Sequence, residues 1–131
     1  MQAMRRARLE SVILQELSVI VPRELKDPRI PTVTFTRAQV TEDGSQVTVW
    51  VTILGGADAD AHGNPLPEDV AEKRMRDCIK GLSSAQGFLR RHFAGVLDIR
   101  HIPVLIFKED RGLENTLKIH NLLKQIGDEQ K

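Results

Sequence analysis

The run of residues 82–91 carries the side chains whose types and spacing best fit a chemical task, the binding of an anion. It lies inside a stretch of helical spacing, yet Ser83-Ser84 and Ala85-Gln86-Gly87 place small residues where a helix has long ones. Serine competes for backbone hydrogen bonds, and glycine and serine clusters cause kinks. We therefore predict two helices meeting at Ala85-Gln86-Gly87, with Arg90 and Arg91 just beyond. Small side chains allow close backbone approach, and a helix N-terminus favours anions. An ordinary loop or a helix-packing site remains the alternative.

Catalytic and metal-binding patterns are missing from the sequence. It contains no G-x-S-x-G, G-x-x-x-x-G-K or H-E-x-x-H motif, and its four histidines lack ligand spacing. Asp58, Asp60 and His62 superficially resemble metal ligands, but their loop has neither a calcium loop's glycine and distal glutamate nor a zinc site's cysteines. We interpret His101 and His120 as structural rather than catalytic. The sequence predicts no enzyme, no metal, no cofactor and no small-molecule substrate.

The charge of the chain is unevenly distributed, although its net value is only +1 over 131 residues. Residues 1–41 carry +3, residues 42–70 carry −6, residues 71–108 carry +5 and residues 109–131 carry −1. Two basic segments therefore flank an acidic one, which suggests a face that binds a polyanion. A solvated surface of mixed charge is the alternative.

Hydrophobic spacing predicts the elements that must position this run. A helix is expected over residues 4–21, ended by Pro22, and a hairpin over residues 32–40 and 46–54 with a bulge near Thr36-Arg37. Trp50 on the polar face of the second strand packs or contacts a partner; we favour packing. A kinked helix pair follows over residues 68–94, with Gly95 as its C-cap.

The remaining elements complete a single α+β domain spanning residues 1–131, with its core over about 4–126. Residues 55–67 form a solvated loop, residues 104–107 a buried third strand, and residues 113–126 a C-terminal helix. The helices pack on one face of a three-stranded mixed sheet, and Cys78 is a buried, inert thiol. No apolar run reaches membrane-spanning length and no signal peptide is evident, so we expect a cytoplasmic protein.

This order of elements resembles a type II KH domain, whose G-x-x-G loop normally clamps nucleic acid. The chain has no G-x-x-G and carries Ala85-Gln86-Gly87 at the equivalent bend. That substitution, together with the blocks at residues 24–30, 84–90 and 99–110, resembles the ribosome-binding factor A family. Two departures affect loop-level contacts: Asp110-Arg111-Gly112 lacks the expected serine or threonine, and the acidic loop is long.

The resemblance implies a non-enzymatic, monomeric assembly factor that binds the immature small (30S) ribosomal subunit and its 16S rRNA and supports rRNA processing, above all in the cold. A KH-like protein-interaction module without an RNA role and an unrecognised small α/β enzyme are the alternatives. The expected RNA-binding residues are mostly basic side chains in the two positive segments: Arg5, Arg6, Arg8, Arg23, Lys26, Arg29, Lys73, Arg76, Lys80, Ala85, Gly87, Arg90 and Arg91.

Overall fold

The computed structural model describes residues 2–60 and 62–111 of the chain. Its elements follow the order α1, β1, β2, α2, α3, β3, which confirms the α+β fold that the sequence predicted. Their bounds are α1 Ala3–Glu24, β1 Val33–Val40, β2 Gln46–Ile53, α2 Glu68–Ser84, α3 Gln86–Val96 and β3 Val104–Glu109. The predicted helix over residues 113–126 and His120 lie outside the described residues.

The three strands form one mixed sheet in the order β1-β2-β3. β1 and β2 are antiparallel, and their register slips between Phe35 and Arg37, which confirms the predicted bulge. β3 runs parallel to β2, with Leu105 opposite Val47. A parallel neighbour requires a long crossover, and the helix pair α2–α3 supplies it.

The hairpin turn is held by Asp43 and Gly44. The Asp43 carboxylate accepts hydrogen bonds from the Thr41 hydroxyl at 2.7 Å and from the backbone N–H and hydroxyl of Ser45. These donors, the Thr41 hydroxyl first, lower the pKa of Asp43 to about 2. Gly44 adopts φ +74°, a conformation that favours glycine, so this sequence ends β1 and starts β2 in register.

The core lies between one face of the sheet and the helices. Alternate β2 residues Val47, Val49, Val51 and Ile53 are buried, as their period-2 spacing predicted. α1 packs on β1, whereas α2 and α3 pack on β3. Cys78 is fully buried in α2, and its removal from water raises the pKa of the thiol to about 11, as expected of an inert cysteine.

The opposite face of the sheet carries Trp50, which is half-buried. The guanidinium of Arg37, its neighbour on β1, lies 4.0 Å from the centroid of the Trp50 ring. This cation–π contact packs Trp50 against a charged side chain of the neighbouring strand, in keeping with the packing role that the sequence favoured.

Two helix boundaries differ from the predictions. α1 continues through Pro22 to Glu24, so the expectation that Pro22 ends the helix was wrong. A proline in the last turn removes only one backbone hydrogen bond, and the N–H of Leu25 still reaches the Val21 carbonyl at 3.0 Å. Gly95 lies inside α3 and not at its C-cap, which is Leu97, whose N–H donates to the Phe93 carbonyl.

The acidic loop before α2 is tied to the helix that follows it. Arg74 donates to the carbonyl of Ala59 at 2.6 Å and to that of Gly56 at 3.2 Å, while Asp60 accepts the backbone N–H groups of His62 and Asn64. These contacts assign Asp60 to a turn. Over the residues that the structure describes, no three metal-ligating side chains cluster, and no helix combines the length and apolar character needed to cross a membrane.

Candidate nucleic-acid interface

The predicted bend between the two helices lies at Ala85. Its backbone adopts φ −85° and ψ 7°, outside regular helix, and its N–H reaches back to the Leu82 carbonyl at 3.1 Å. α2 therefore ends at Ser84 and α3 begins at Gln86. No side chain caps α3, which leaves backbone N–H groups of its first turn available to a ligand.

Gln86, the middle residue of the bend, is bound to the sheet. Its side-chain amide donates to the Leu105 carbonyl and accepts the Leu105 N–H, both at 2.7 Å. Two hydrogen bonds from one planar group fix the start of α3 against β3. Sequence reasoning assigned Gln86 no task, because the partner lies 19 residues away.

A close approach within the protein occurs at Gly81, a residue that the sequence analysis did not single out. A Cβ atom built on Gly81 would lie 2.8 Å from Cγ1 of Ile30 and 3.3 Å from Oδ2 of Asp27. Only a residue without a side chain lets the connector between α1 and β1 lie against α2 here. Gly87 is exposed and helical, and a Cβ there would meet only the Arg91 guanidinium, at 3.6 Å.

The two arginines after the bend differ in their surroundings. The guanidinium of Arg90 is half-buried and donates to the Ile102 carbonyl at 2.9 Å, and its buried Nε has no hydrogen-bond partner. Arg91 is exposed and pairs with no described side chain. Arg90 thus fixes the segment before β3, whereas Arg91 is open to a ligand.

The other predicted contacts are spread along the protein. Arg5 and Arg8 lie near the start of α1 and Arg23 near its end, about 27 Å from Arg5 at 1.5 Å per residue. Lys26 and Ala85 come together, since both line a shallow groove of about 190 Å³ between the connector and the bend. Arg76 and Lys80 line a larger groove of about 450 Å³ between α2 and β3.

Ion pairing separates these cations into two groups. Arg23 pairs with Glu24 at 3.3 Å, Arg29 with Asp27 at 2.6 Å and Lys73 with Asp77 at 2.9 Å. The Arg29 side-chain hydrogen bond lowers the pKa of Asp27, and that of Lys73 lowers the pKa of Asp77. Some of the predicted cations form no ion pair within the described residues: Arg5, Arg6, Arg8, Lys26, Arg76, Lys80, Arg90 and Arg91.

Sequence reasoning missed two basic residues beside α3. Arg100 and His101 precede β3 and line a groove of about 380 Å³ with Gly87, Arg90 and Arg91. His101 is exposed, and its assignment as structural rather than catalytic stays a prediction. The segment from Leu97 to Pro103 has no regular secondary structure, so no periodicity predicted which side chains it would present. Phe88, at the start of α3, also exposes part of its ring.

Comparison with known proteins identifies close relatives of this chain. A curated ribosome-binding factor A from Pelobacter propionicus is 38% identical over 125 residues, covering 95% of this chain and 90% of the relative. The solution structure of a Thermotoga maritima protein described as a ribosome binding factor A superposes with a TM-score of 0.61 at 30% identity, covering 86% of this chain and 92% of that one.

A third likeness concerns the fold alone. A homology model of a Thermus thermophilus ribosome binding factor A, fitted into an electron cryo-microscopy map of its 30S complex, has a TM-score of 0.53 at 23% identity and covers 84% of this chain and 96% of that one. The family model described as Ribosome-binding factor A matches residues 5–123. Since that match spans nearly the whole sequence and includes the bend at Ala85, the chain belongs to the ribosome-binding factor A family.

Proposed function

We propose that this protein binds the small ribosomal subunit, contacts its 16S rRNA and acts as a non-enzymatic factor in subunit assembly. The observation that carries the proposal is membership of the ribosome-binding factor A family over residues 5–123. The Thermus relative was fitted into a map of a 30S complex, which supports the same partner for this chain. A ribosomal partner also implies that the protein works in the cytoplasm, and we propose that it does so as a monomer and as one KH-like domain.

The charge on the surface supports RNA as the part of the subunit that is contacted. RNA binding is dominated by cations that neutralise phosphates, and the exposed cations without an acidic partner cost least to redirect towards a phosphate. On this argument, Arg5, Arg8, Lys26, Arg76, Lys80 and Arg91 contact RNA directly. Arg23, Arg29 and Lys73 would first have to leave their carboxylate partners.

The bend and its surroundings supply the contact that charge alone does not. Ala85 has only a methyl side chain and Gly87 has none, so a phosphate can approach the uncapped N–H groups at the start of α3. The exposed ring of Phe88, one residue further, offers a face for stacking on an unpaired base. Arg90 holds the Ile102 carbonyl and acts as a positioning residue in this arrangement.

Filter binding of the purified protein to small subunits and to free 16S rRNA, at several salt concentrations, tests the proposal. Neutralised phosphates release counterions, so the logarithm of the affinity should fall with the logarithm of salt by about 0.7–0.9 per contact. Binding that is independent of salt would contradict an RNA interface and favour a protein-interaction module. Saturable turnover of a substrate, abolished by a single substitution, would instead show an enzyme.

We further propose that binding promotes maturation of the rRNA, most strongly in the cold. Misfolded RNA helices persist longer at low temperature, and a protein that binds the correct pairing better shifts the population towards it. Cells without the protein should accumulate unprocessed 16S rRNA, with a larger excess at low than at high growth temperature. Northern analysis of precursor ends measures this, and equal processing with and without the protein at both temperatures would refute a maturation role.

A further inference from the structure

The groove beside α3 has the composition of a phosphate site. Arg90 and Arg91 line it from α3, and Arg100 and His101 line it from the segment before β3. Its volume of about 380 Å³ leaves room for a phosphodiester and its neighbouring sugars. Among the described residues that line it, none is acidic, so the positive charges converge without internal compensation.

Arg90 gives the groove a charge that the described protein leaves unneutralised. Its half-buried guanidinium has a neutral carbonyl as its hydrogen-bonding partner, and its Nε is buried without one. Burying a cation without a counter-ion is unfavourable, so an anion entering the groove gains more from Arg90 than from a fully solvated arginine. The bond to Ile102 also fixes the chain that carries Arg100 and His101.

Gly87 shapes the floor of the groove. The guanidinium of Arg91, one turn further along α3, lies over this glycine, 3.6 Å from where a Cβ would stand. Arg91 and Arg100 are both exposed, and neither is held by a described carboxylate. Arginine is suited to phosphate because its planar fork can donate two parallel hydrogen bonds.

From these observations we propose that Arg91, Arg100 and His101 bind a backbone phosphate of RNA in this groove, with Arg90 as the positioning residue. The inference rests on the proposed function, since it names a contact within the RNA interface. It adds Arg100 and His101, which the sequence analysis did not assign to RNA binding. It also moves part of the interface from the bend itself to the far side of α3, against the segment before β3. Recognition of the sugar–phosphate backbone needs no base, so the groove does not select a sequence.

The test compares two doubly substituted proteins of equal charge. One is Arg91→Gln with Arg100→Gln; the control is Arg37→Gln with Lys108→Gln, which removes two exposed cations from the face of the sheet opposite α1, α2 and α3. The probes are purified small subunits and a ten-unit abasic ribose-phosphate oligomer. The groove variant should bind both about tenfold or more weakly and lose about one unit of salt slope per arginine, whereas the control keeps its affinity for the abasic oligomer.

The outcomes separate this inference from the proposed function. Failure of the wild-type protein to bind small subunits would refute the proposed function, and binding of the abasic oligomer would still test the groove. If the groove variant and the control lose affinity for the oligomer equally, general charge and not a groove explains binding, and the inference falls. Amide chemical-shift changes on adding the oligomer should centre on residues 87–102, and changes confined to other residues would also overturn it.

Discussion

Gly81 and Gly87 of the helix pair occupy opposite environments, although they are only six residues apart. Gly81 is buried under the connector, with Ile30 so close that a Cβ would stand 2.8 Å from it. Gly87 is exposed, and a Cβ added there would lie close only to the Arg91 guanidinium. Gly81 is therefore required by packing within the protein, whereas Gly87 leaves an open surface and is available for contact with a partner.

The end of α2 and the start of α3 therefore have different roles. The end of α2 holds the molecule together, through the connector that joins α1 to the sheet. The start of α3 presents its surface to solvent, while Gln86 and Arg90 attach it to β3 and to the segment before it. Substitutions near Gly81 should therefore affect stability, and substitutions at Gly87 should affect binding.

The largest expected effect is that of Gly81→Val. The added branch would overlap Ile30, and overpacking of this kind costs about 1–3 kcal/mol. Urea unfolding should show this loss, and Gly87→Val is the matched control, expected to change the free energy of unfolding by less than about 0.5 kcal/mol. Equal stabilities for the two variants would remove the distinction between the glycines.

Loss of the Gln86 side-chain amide should give the second largest decrease in the free energy of unfolding. Gln86→Ala leaves the N–H and carbonyl of Leu105 without their partners, at a cost of about 1–2 kcal/mol in the free energy of unfolding. Gln86→Glu keeps an acceptor for the N–H but sets a carboxylate oxygen against the carbonyl, so it should not restore stability. Hydrogen exchange at the Leu105 amide reports the loss directly, and unchanged protection in Gln86→Ala would disprove the attachment.

Gly87→Ala should have a smaller effect of opposite sign. Nothing packs on this helical glycine, and replacing glycine by alanine stabilises an exposed helix position by about 0.5–1 kcal/mol. Thermal melting should therefore rise by a few degrees, since about 1 kcal/mol shifts a domain of this size by roughly 4 °C. A lower melting temperature would mean that the start of α3 is strained after all.

Acid should weaken the Gly81 region through Asp27. Its hydrogen bond from Arg29 lowers the pKa in the folded protein below the ordinary 3.8. A group with a lowered folded-state pKa contributes stability above its ordinary pKa, and that contribution is lost as the pH falls through the lowered value. The Asp27→Asn variant should therefore lose less stability than wild type between about pH 6 and pH 3, and parallel losses would show that the pair with Arg29 contributes nothing.

Local patterns predicted the fold well, and contacts between distant residues explain where prediction failed. Alternation along β2, the bulge near Thr36 and the break at Ala85 each depend on neighbours within a few residues, and all three are confirmed. The roles of Gly81 and Gln86 depend on Ile30 and Leu105, which no spacing rule connects to them.

In the candidate site too, local spacing predicted some positions, and contacts between distant residues decided the others. Arg91 lies where helical spacing placed it, beyond the bend and in the open. Arg90, its neighbour, was grouped with it by charge, but tertiary structure turns it towards Ile102. Arg100 and His101 belong to a segment without periodicity, so only the path of the chain into β3 reveals that they face α3.

The side-chain amide of Gln86 also covers part of the edge of β3. β3 lies at the margin of the sheet, and such strands offer unpaired N–H and carbonyl groups on which a second polypeptide can extend the sheet. A primary amide has the same donor and acceptor as a peptide group, so Gln86 occupies the position of a fourth strand at Leu105. The side chain that anchors the bend thus also occupies the N–H and carbonyl of Leu105, on which a second polypeptide would have to pair.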